Sequence, residues 1–194
     1  MPTPKLQSAI GLPFPATLPS DERASVVAAE AHVLKLFEEC APGLRRYVGS
    51  FGLGGAATED IVQEVFLALF RHLCLSRPAT NLKGWLFQVA HNLALKQRYK
   101  LAQRQATEGT WDAELTDRVI DRAANPEERF ADEQRRRRLS EVLRLMPERD
   151  RRCVYLRAEG LCYRDIARTL HISLGSVAKS LVRAIARLTA ADKE

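Results

Sequence analysis

Three polar side chains in the first half of the chain recur every four residues, a spacing that places them on one face of a helix. They are Gln88, Asn92 and Lys96, and Lys83 and His91 lie at the edge of the same face. Amide side chains can hydrogen-bond to base edges, and lysine neutralises phosphates. This face is therefore suited to nucleic acid, although an ordinary solvated helix face would have the same polarity.

A second polar face follows near the C-terminus, inside a helix-turn-helix pattern. A short predicted helix, Tyr163–Leu170, leads into the turn His171–Ser173, and Ser173 can cap the longer helix that comes next. That helix is expected to bury Val177, Leu181, Ala184, Ile185 and Leu188. It is expected to expose Ser176, Lys179, Ser180, Arg183 and Arg187. Hydrogen-bonding and cationic groups on one face are what a major-groove reader requires, so the pattern predicts DNA binding.

Carboxylates mark the start of a further helix, for which we predict Thr58 as the N-cap. Its apolar stripe consists of Ile61, Val62, Val65, Phe66, Leu69 and Phe70. Asp60, Gln63 and Glu64 fall outside that stripe. They could contact another protein or simply remain solvated charges.

The elements that position these faces are helices, because apolar residues recur with a period near 3.6 and almost never alternate. A helical pattern over 31–50 is interrupted at Pro42-Gly43, a strong one runs over Leu82–Leu101, and Gly160 is placed as a helix C-cap. We predict an all-α fold with two small helical domains, 26–104 and 131–190. A disordered Pro-rich leader, 1–25, precedes them, and a flexible acidic linker, 105–130, joins them.

Charge is distributed unevenly along the chain. The net charge is −2 over residues 1–40, +5 over 41–100, −5 over 101–134 and +8 over 135–194, within a total of +6. Two basic blocks flanking an acidic one favour a polyanionic partner, of which nucleic acid is the commonest.

Several classes of protein are excluded. No apolar run reaches the roughly 18–20 residues that span a bilayer, and prolines interrupt the N-terminal segment where a signal peptide would need an apolar region. The four cysteines form no CxxC pair and the four histidines no HExxH motif, so neither a metal nor another cofactor is indicated. We expect a cytoplasmic protein in which Cys153 and Cys162 are reduced and structural, with a redox-switched thiol pair as a minor alternative.

The residues also resemble a known family. Glu59–Phe66, followed by Trp85–Ala94, looks like the second conserved region of bacterial sigma factors, most closely the extracytoplasmic-function type, and the similarity extends from Leu36 to Arg104. Leu139–Leu188 is similar to the fourth conserved region of the same factors. The sequence motif Ser176-Val177-x-Lys179 resembles that of the iron-siderophore-regulating subgroup. His171 and Ala178 depart from the usual pattern, where glycine and a basic residue are common.

The resemblance implies a dissociable specificity subunit of bacterial RNA polymerase with no enzymatic centre of its own. It implies that Asp60, Gln63 and Glu64 contact core polymerase. The upstream promoter element, near minus thirty-five, would be read as duplex by Ser176, Lys179, Ser180 and Arg183. The melted downstream element, near minus ten, would be bound by Arg77, Asn81, Lys83, Trp85, Gln88, Asn92 and Lys96. Trp85 could stack on a base, although its place in the apolar stripe favours the core.

Further partners follow from the same resemblance. Relatives are usually held inactive by an anti-sigma factor, and we expect a monomer when the chain is free of partners. The acidic linker, with Asp112, Glu114, Asp117 and Asp121, could follow the RNA path of the polymerase. A helix-turn-helix regulator that works without polymerase remains the alternative, but it leaves the first polar block unexplained.

Overall fold

The computed structural model describes residues 20–75, 78, 80–108 and 126–192 of the chain. Seven helices occur in these ranges: α1 Ser20–Gly49, α2 Gly55–Cys74, α3 Leu82–Glu108, α4 Pro126–Leu145, α5 Glu148–Ala158, α6 Tyr163–Leu170 and α7 Leu174–Ala191. The same ranges hold no strand, so the all-α prediction is confirmed. Arg77, residues 1–19 of the predicted leader and residues 109–125 of the predicted linker, with its four named carboxylates, lie outside the described residues.

Helices α1–α3 pack on one another and form what we call the N-terminal bundle. The predicted stripe of α2 faces its core, in which Val62, Val65 and Leu69 are almost completely buried. Tyr47 of α1 and Phe87 of α3 are also fully buried there. Burying each large apolar side chain contributes about 1.5–3 kcal/mol, so this core holds the exposed faces of α2 and α3 in fixed orientations.

The predicted interruption of the first helix at Pro42-Gly43 is wrong. α1 continues through Pro42 to Gly49. An internal proline costs about 3 kcal/mol because it lacks an N–H and crowds the preceding turn. On either side of it, Cys40, Ala41 and Leu44 are buried in the bundle core. Their burial outweighs the local cost, and Pro42 itself faces solvent.

Four predicted boundaries also move. α2 begins one turn early, with Gly54 as its N-cap, so the predicted cap Thr58 lies inside the helix and is buried. α3 and α4 extend into the predicted linker at 105–108 and 126–130, and α1 extends into the predicted leader at 20–25. Polar residues in these segments continue the helices instead of ending them.

Helices α4–α7 form the C-terminal bundle, in which α7 packs against α4, α5 and α6. α5 starts after Pro147 and buries Asp150, Cys153 and Leu156. The apolar pattern of this helix predicts that Val154, Tyr155 and Ala158 face inward, but Ala158 is exposed. The helix is therefore rotated relative to the prediction, and it turns a carboxylate inward where an apolar side chain was expected.

The turn between α6 and α7 is built on a left-handed residue. His171 has φ 54° and ψ 43°, and Ser173 caps α7 by accepting a hydrogen bond from the Ser176 backbone N–H at 3.2 Å. Gly160, the predicted cap, has φ 85° just after α5. A non-glycine residue in this region is strained by roughly 1–2 kcal/mol.

We therefore expect His171→Gly to raise the free energy of unfolding by about 0.5–1 kcal/mol, the strain relieved less the extra flexibility of the unfolded chain. Thermal unfolding would show this as a melting temperature a few degrees higher. Ala186→Gly, at an exposed position in the interior of α7, is the control. It should lower stability by about 1 kcal/mol. A His171→Gly protein that melts below the parent would contradict the assignment of strain.

The two bundles touch each other. α3 lies against α6, and α1 lies against α5. Buried residues of both bundles, including Leu82 and Leu86 from the first and Leu161 and Ile166 from the second, belong to one continuous hydrophobic cluster. The described chain is thus folded back on itself, with its two polar faces in neighbouring bundles.

Candidate nucleic-acid interface

The exposed face of α2 brings together the three polar residues predicted there. Asp60, Gln63 and Glu64 are all exposed because the apolar stripe turns the opposite side of the helix to the core. Leu67, one turn further on, has 56% of its surface exposed. Acidic, amide and apolar groups on one face can bind a protein with a basic and apolar surface, and Leu67 is a member of this face that the sequence did not single out.

The polar face of α3 is present in part. Asn92 and Lys96 are exposed and Gln88 is half-buried. His91, predicted at the edge of this face, is instead buried, and its Nδ1 lies 2.8 Å from the Tyr47 hydroxyl. Burial and the nearby Arg152 lower the pKa of His91 to about 4, so the ring is neutral near pH 7. It belongs to the core and not to a nucleic-acid surface.

Two predicted residues at the start of α3 lie beside the C-terminal bundle. Asn81 has φ 55°, and its side-chain oxygen accepts a hydrogen bond from the Gly84 N–H at 3.1 Å, which caps the helix. The Asn81 amide nitrogen donates to Asp165 of α6 at 2.7 Å. Lys83 is exposed and points towards Gly160. Asn81 thus already has two partners in the structure.

Trp85 is half-buried and packs against the core. Its ring centroid lies 4.9 Å from that of His72. This is the core position that its apolar stripe favours, and the indole would have to leave His72 before it could stack on a base.

The polar face of α7 is rotated relative to the sequence-based expectation. Its buried stripe comprises Val177, Ser180, Leu181 and Ala184. Ser180 has no exposed surface, so its prediction as a DNA-reading residue is wrong. Ile185, predicted to be buried, is 56% exposed. A hydroxyl can take the place of an apolar side chain here because Arg183 Nη2 lies within 3.3 Å of its oxygen.

Arg183 is held by a buried carboxylate. Its Nε and Nη2 donate to the two Asp150 oxygens at 3.1 and 2.8 Å, and Nη2 lies 3.3 Å from the Ser180 hydroxyl oxygen. Asp150 is 1% exposed, whereas the Arg183 side chain is 44% exposed. The Arg183 hydrogen bonds hold the pKa of Asp150 below its usual value. The sequence-based prediction did not include Asp150. The only signal for its burial is that this charged residue falls on the same helix face as Cys153 and Leu156, which are buried.

Lys179 is exposed, whereas Ser176 is half-buried, with its hydroxyl 2.9 Å from that of Ser173. Lys179 and the outer edge of Arg183 are therefore the predicted groups best placed to meet a phosphate or base. The structure leaves this face cationic and open, as binding in a major groove requires.

The described residues hold no group of three or more His, Cys, Asp or Glu side chains that could bind a metal ion. Cys153 is buried and Cys162 exposed, both as free thiols, and burial raises the pKa of Cys153, which makes its thiolate less available. Within the same part of the chain, no helix has the length and apolar character to cross a membrane.

Family models match both halves of the chain. The model described as "Sigma-70 region 2" matches residues 36–104, and that described as "Sigma-70, region 4" matches residues 136–188. The first match covers the helix faces of α2 and α3, and the second covers α5–α7. Both conserved regions therefore occur in one chain and in this order.

Curated relatives agree with the family models. The chain is 32% identical over 129 residues to the ECF RNA polymerase sigma factor SigE of Mycolicibacterium smegmatis, an alignment that covers 64% of this chain and 48% of the relative. It is 28% identical over 159 residues to the ECF RNA polymerase sigma-E factor of Escherichia coli K12, covering 78% of this chain and 80% of the relative. The chain thus spans about half the length of the first relative and most of the second.

Solved structures share the fold. The sigma factor RpoE, in complex with the anti-sigma factor NepR from Bartonella quintana, gives a TM-score of 0.63 at 21% identity, covering 82% of this chain and 95% of that one. CnrH, in complex with the cytosolic domain of CnrY, gives a TM-score of 0.54 at 20% identity, covering 87% and 95%.

Proposed function

We propose that the chain is an alternative sigma factor of the extracytoplasmic-function type that depends on RNA polymerase, and that it divides this work among three surfaces. One binds core polymerase, one binds the melted downstream promoter element, and one binds the upstream element as duplex. The observation that carries the proposal is the presence of both conserved regions in one chain, each with an exposed polar helix face. The two proposed partners, core polymerase and promoter DNA, are found where the chromosome is. The proposed site of action is therefore the cytoplasm.

The polymerase-binding surface is the exposed face of α2, with Asp60, Gln63 and Glu64. Its support is geometric, because the three side chains project together from a helix that the core holds firmly. Leu67 adds an apolar contact on the same face. Charged residues around an apolar centre are typical of a protein interface.

The promoter-binding surfaces lie in both bundles. Lys179 and Arg183, with Ser176 beside them, would contact the upstream element in the major groove. Residues at the start and along the outer face of α3 would contact the separated downstream strand: Arg77, Asn81, Lys83, Gln88, Asn92 and Lys96. Lysine and arginine would supply affinity through phosphates, and the amides would supply part of the base recognition.

Regulation by an anti-sigma factor is the finer part of the proposal. It is supported by two relatives of the same fold whose structures hold such a partner or a cytosolic domain of another protein. Only the sequence motif Ser176-Val177-x-Lys179 supports membership of the iron-siderophore subgroup. Transcription from the gene's own upstream region would reveal a promoter that the chain recognises.

The test is co-elution of the full chain with sigma-free core polymerase on gel filtration, followed by run-off transcription from the DNA upstream of its gene. A complex that yields discrete transcripts is the expected result. The absence of a complex, together with tight binding of duplex DNA by the chain alone, would contradict it and favour a helix-turn-helix regulator that works without polymerase.

The α2 surface makes a specific prediction. Asp60→Lys combined with Glu64→Lys should weaken core binding at least about tenfold, because both charges face the partner and reversal replaces attraction by repulsion. Titration of labelled chain with core polymerase measures the change. Glu133→Lys with Glu141→Lys, exposed on α4, alters the net charge equally and should leave affinity within about twofold. Equal losses in the two double variants would show that only net charge matters.

A further inference from the structure

The direction in which Arg183 faces DNA is set from inside the C-terminal bundle. We propose that Asp150 of α5 is a positioning residue for Arg183, and that it makes this arginine the reader of one base pair instead of a general phosphate contact. The inference rests on the proposed function, since it concerns the α7 surface assigned above to the upstream promoter element. Asp150 itself lies outside the helix-turn-helix that α6 and α7 form.

The Asp150 carboxylate holds one edge of the Arg183 guanidinium. Nε donates to Oδ2 at 3.1 Å and Nη2 donates to Oδ1 at 2.8 Å. Because the guanidinium is planar, two hydrogen bonds along one edge fix both its plane and its direction. Nη1 has no partner among the described residues, and it carries two of the five N–H donors. DNA therefore meets a pair of donors in one place and one orientation.

Asp150 can hold this orientation because it is buried. Its exposed fraction is 1%, and the neighbouring Ser180 and Cys153 have no exposed surface. Hydrogen bonds from Arg183 and from the Ser180 hydroxyl hold the pKa of Asp150 below its usual value, so the carboxylate is ionised at neutral pH. Asp150 lies in the first turn of α5 and reaches α7 from there. The guanidinium is thus fixed relative to the body of the bundle, and not only to its own helix.

Stability alone gives a poor reason for an acid at position 150. Burying a charged pair costs desolvation free energy, and apolar residues of similar volume often replace such pairs without loss of stability. A fixed donor, in contrast, has already lost side-chain entropy before DNA arrives, so less is lost on binding. It also fails to meet acceptors on base edges that lie elsewhere. The pair is therefore better explained by recognition than by packing.

Two neighbouring cations on α7 lack this restraint. Lys179 and Arg187 lie four residues to either side of Arg183, and both are exposed. Neither forms an ion pair within the part of the chain that the structure describes. An unrestrained cation can follow the phosphates of any sequence, which adds affinity without recognition. Discrimination between base pairs should therefore depend on Arg183, and through it on Asp150.

The restraint is tested first in the free full-length chain, by nitrogen-edited NMR of the arginine Nε–H groups. The Arg183 signal, assigned by its absence from Arg183→Lys, should persist at neutral pH because a hydrogen-bonded N–H exchanges slowly with water. The Arg187 signal, assigned from Arg187→Lys, should be weak or absent. In Asp150→Asn the Arg183 signal should fall to the level of Arg187. A parent chain in which the two signals are equally weak would overturn the restraint.

Recognition is tested in the complex with core polymerase, on the promoter found by run-off transcription. Each base pair of the upstream element is changed to the other three, and discrimination is the ratio of the affinities for parent and changed DNA. Arg183→Ala should lose discrimination at one base pair. Asp150→Asn should lower it at the same base pair at least about fivefold, the lower end of what a bidentate base contact contributes. Affinity for DNA changed at that position should stay within about twofold.

The ratio separates positioning from stability, because a smaller folded fraction lowers the affinity for all DNA by the same factor. Ile166→Val, in the core beneath α6, should destabilise the bundle and leave discrimination unchanged. Arg187→Ala should weaken binding to every sequence alike. Asp150→Leu fills the same space without a polar group, so it provides a folded variant that should lose the same discrimination even if Asp150→Asn does not fold.

The double variant Asp150→Asn with Arg183→Ala decides whether the two residues act together. It should lose no more discrimination than Arg183→Ala alone, since both changes remove the same contact. Discrimination that survives both Asp150→Asn and Asp150→Leu, or losses that simply add in the double variant, would overturn the positioning role. Absence of a complex with core polymerase would instead contradict the proposed function, and the NMR result on the free chain would still report whether Asp150 holds Arg183.

Discussion

Arg183→Ala lowers the free energy of unfolding of the chain by about 2 kcal/mol, even though residue 183 lies on the face proposed to meet DNA. The reason is Asp150, which is 1% exposed and receives two hydrogen bonds from the guanidinium. Removing one partner of a fully buried pair costs about 3–5 kcal/mol because the other charge is left unpaired. We expect less here because the Arg183 side chain is 44% exposed and water can reach it. Urea unfolding followed by circular dichroism measures the change.

Arg187→Ala is the matched control, since Arg187 is an exposed arginine on the same helix. It should change stability by less than about 0.5 kcal/mol. Asp150→Asn keeps the shape of the carboxylate and removes its charge, so Arg183→Ala should cost less in that background than in the parent. If Arg183→Ala and Arg187→Ala were equally mild, the Asp150–Arg183 pair would not stabilise the bundle.

This pair changes how losses of DNA binding at position 183 should be interpreted. Ser180 and Asp150 fix the direction of the guanidinium, so only its outer edge is available to DNA. Lys179 has no such internal restraint among the contacts described for it and is exposed. A binding defect in Lys179→Ala would therefore reflect contact with DNA, whereas one in Arg183→Ala would combine contact with stability.

Local signals in the sequence predicted much of the C-terminal bundle. The bounds of α6, Tyr163–Leu170, are those predicted, and the Ser173 cap is confirmed. These features depend on neighbouring residues, whose propensities and hydrogen bonds act over one turn. The rotation of α7 could not be predicted in the same way, because it depends on Asp150, thirty residues away from Ser180.

Tertiary contacts also account for the other differences. Pro42 is a local signal for a helix break, and burial of its neighbours overrides it. His91 has the polarity of a surface residue, yet it packs beside Tyr47 and Phe51. The face of α2 was predictable because its apolar stripe is strong and continuous. The contacts between the bundles were not, since Arg46 and Glu159 are 113 residues apart in sequence.

The buried His91 should make stability depend on pH between about 6.5 and 4. Its pKa is lowered from 6.5 to about 4 by burial and by Arg152, so the unfolded chain takes up a proton in this range and the folded chain does not. The free energy of unfolding is therefore unaffected by His91 above pH 6.5 and falls as the pH drops to 4. The expected loss is about 3 kcal/mol, from roughly 1.4 kcal/mol per pKa unit.

Urea midpoints measured at several pH values test this dependence. His91→Gln removes the titrating ring and should flatten the profile between pH 6.5 and 4, although it also lowers stability at neutral pH. His32→Gln, at an exposed position on α1, should leave the parent profile unchanged. Tyr47→Phe removes the hydroxyl that lies 2.8 Å from His91 Nδ1 and leaves the imidazole buried. It therefore separates the effect of that hydrogen bond from the effect of burying the ring. A steep profile between pH 6.5 and 4 that survives His91→Gln would show that His91 is not its source. Carboxylates with a lowered pKa, such as Asp150, lose their contribution only as the pH falls below about 4, outside this window.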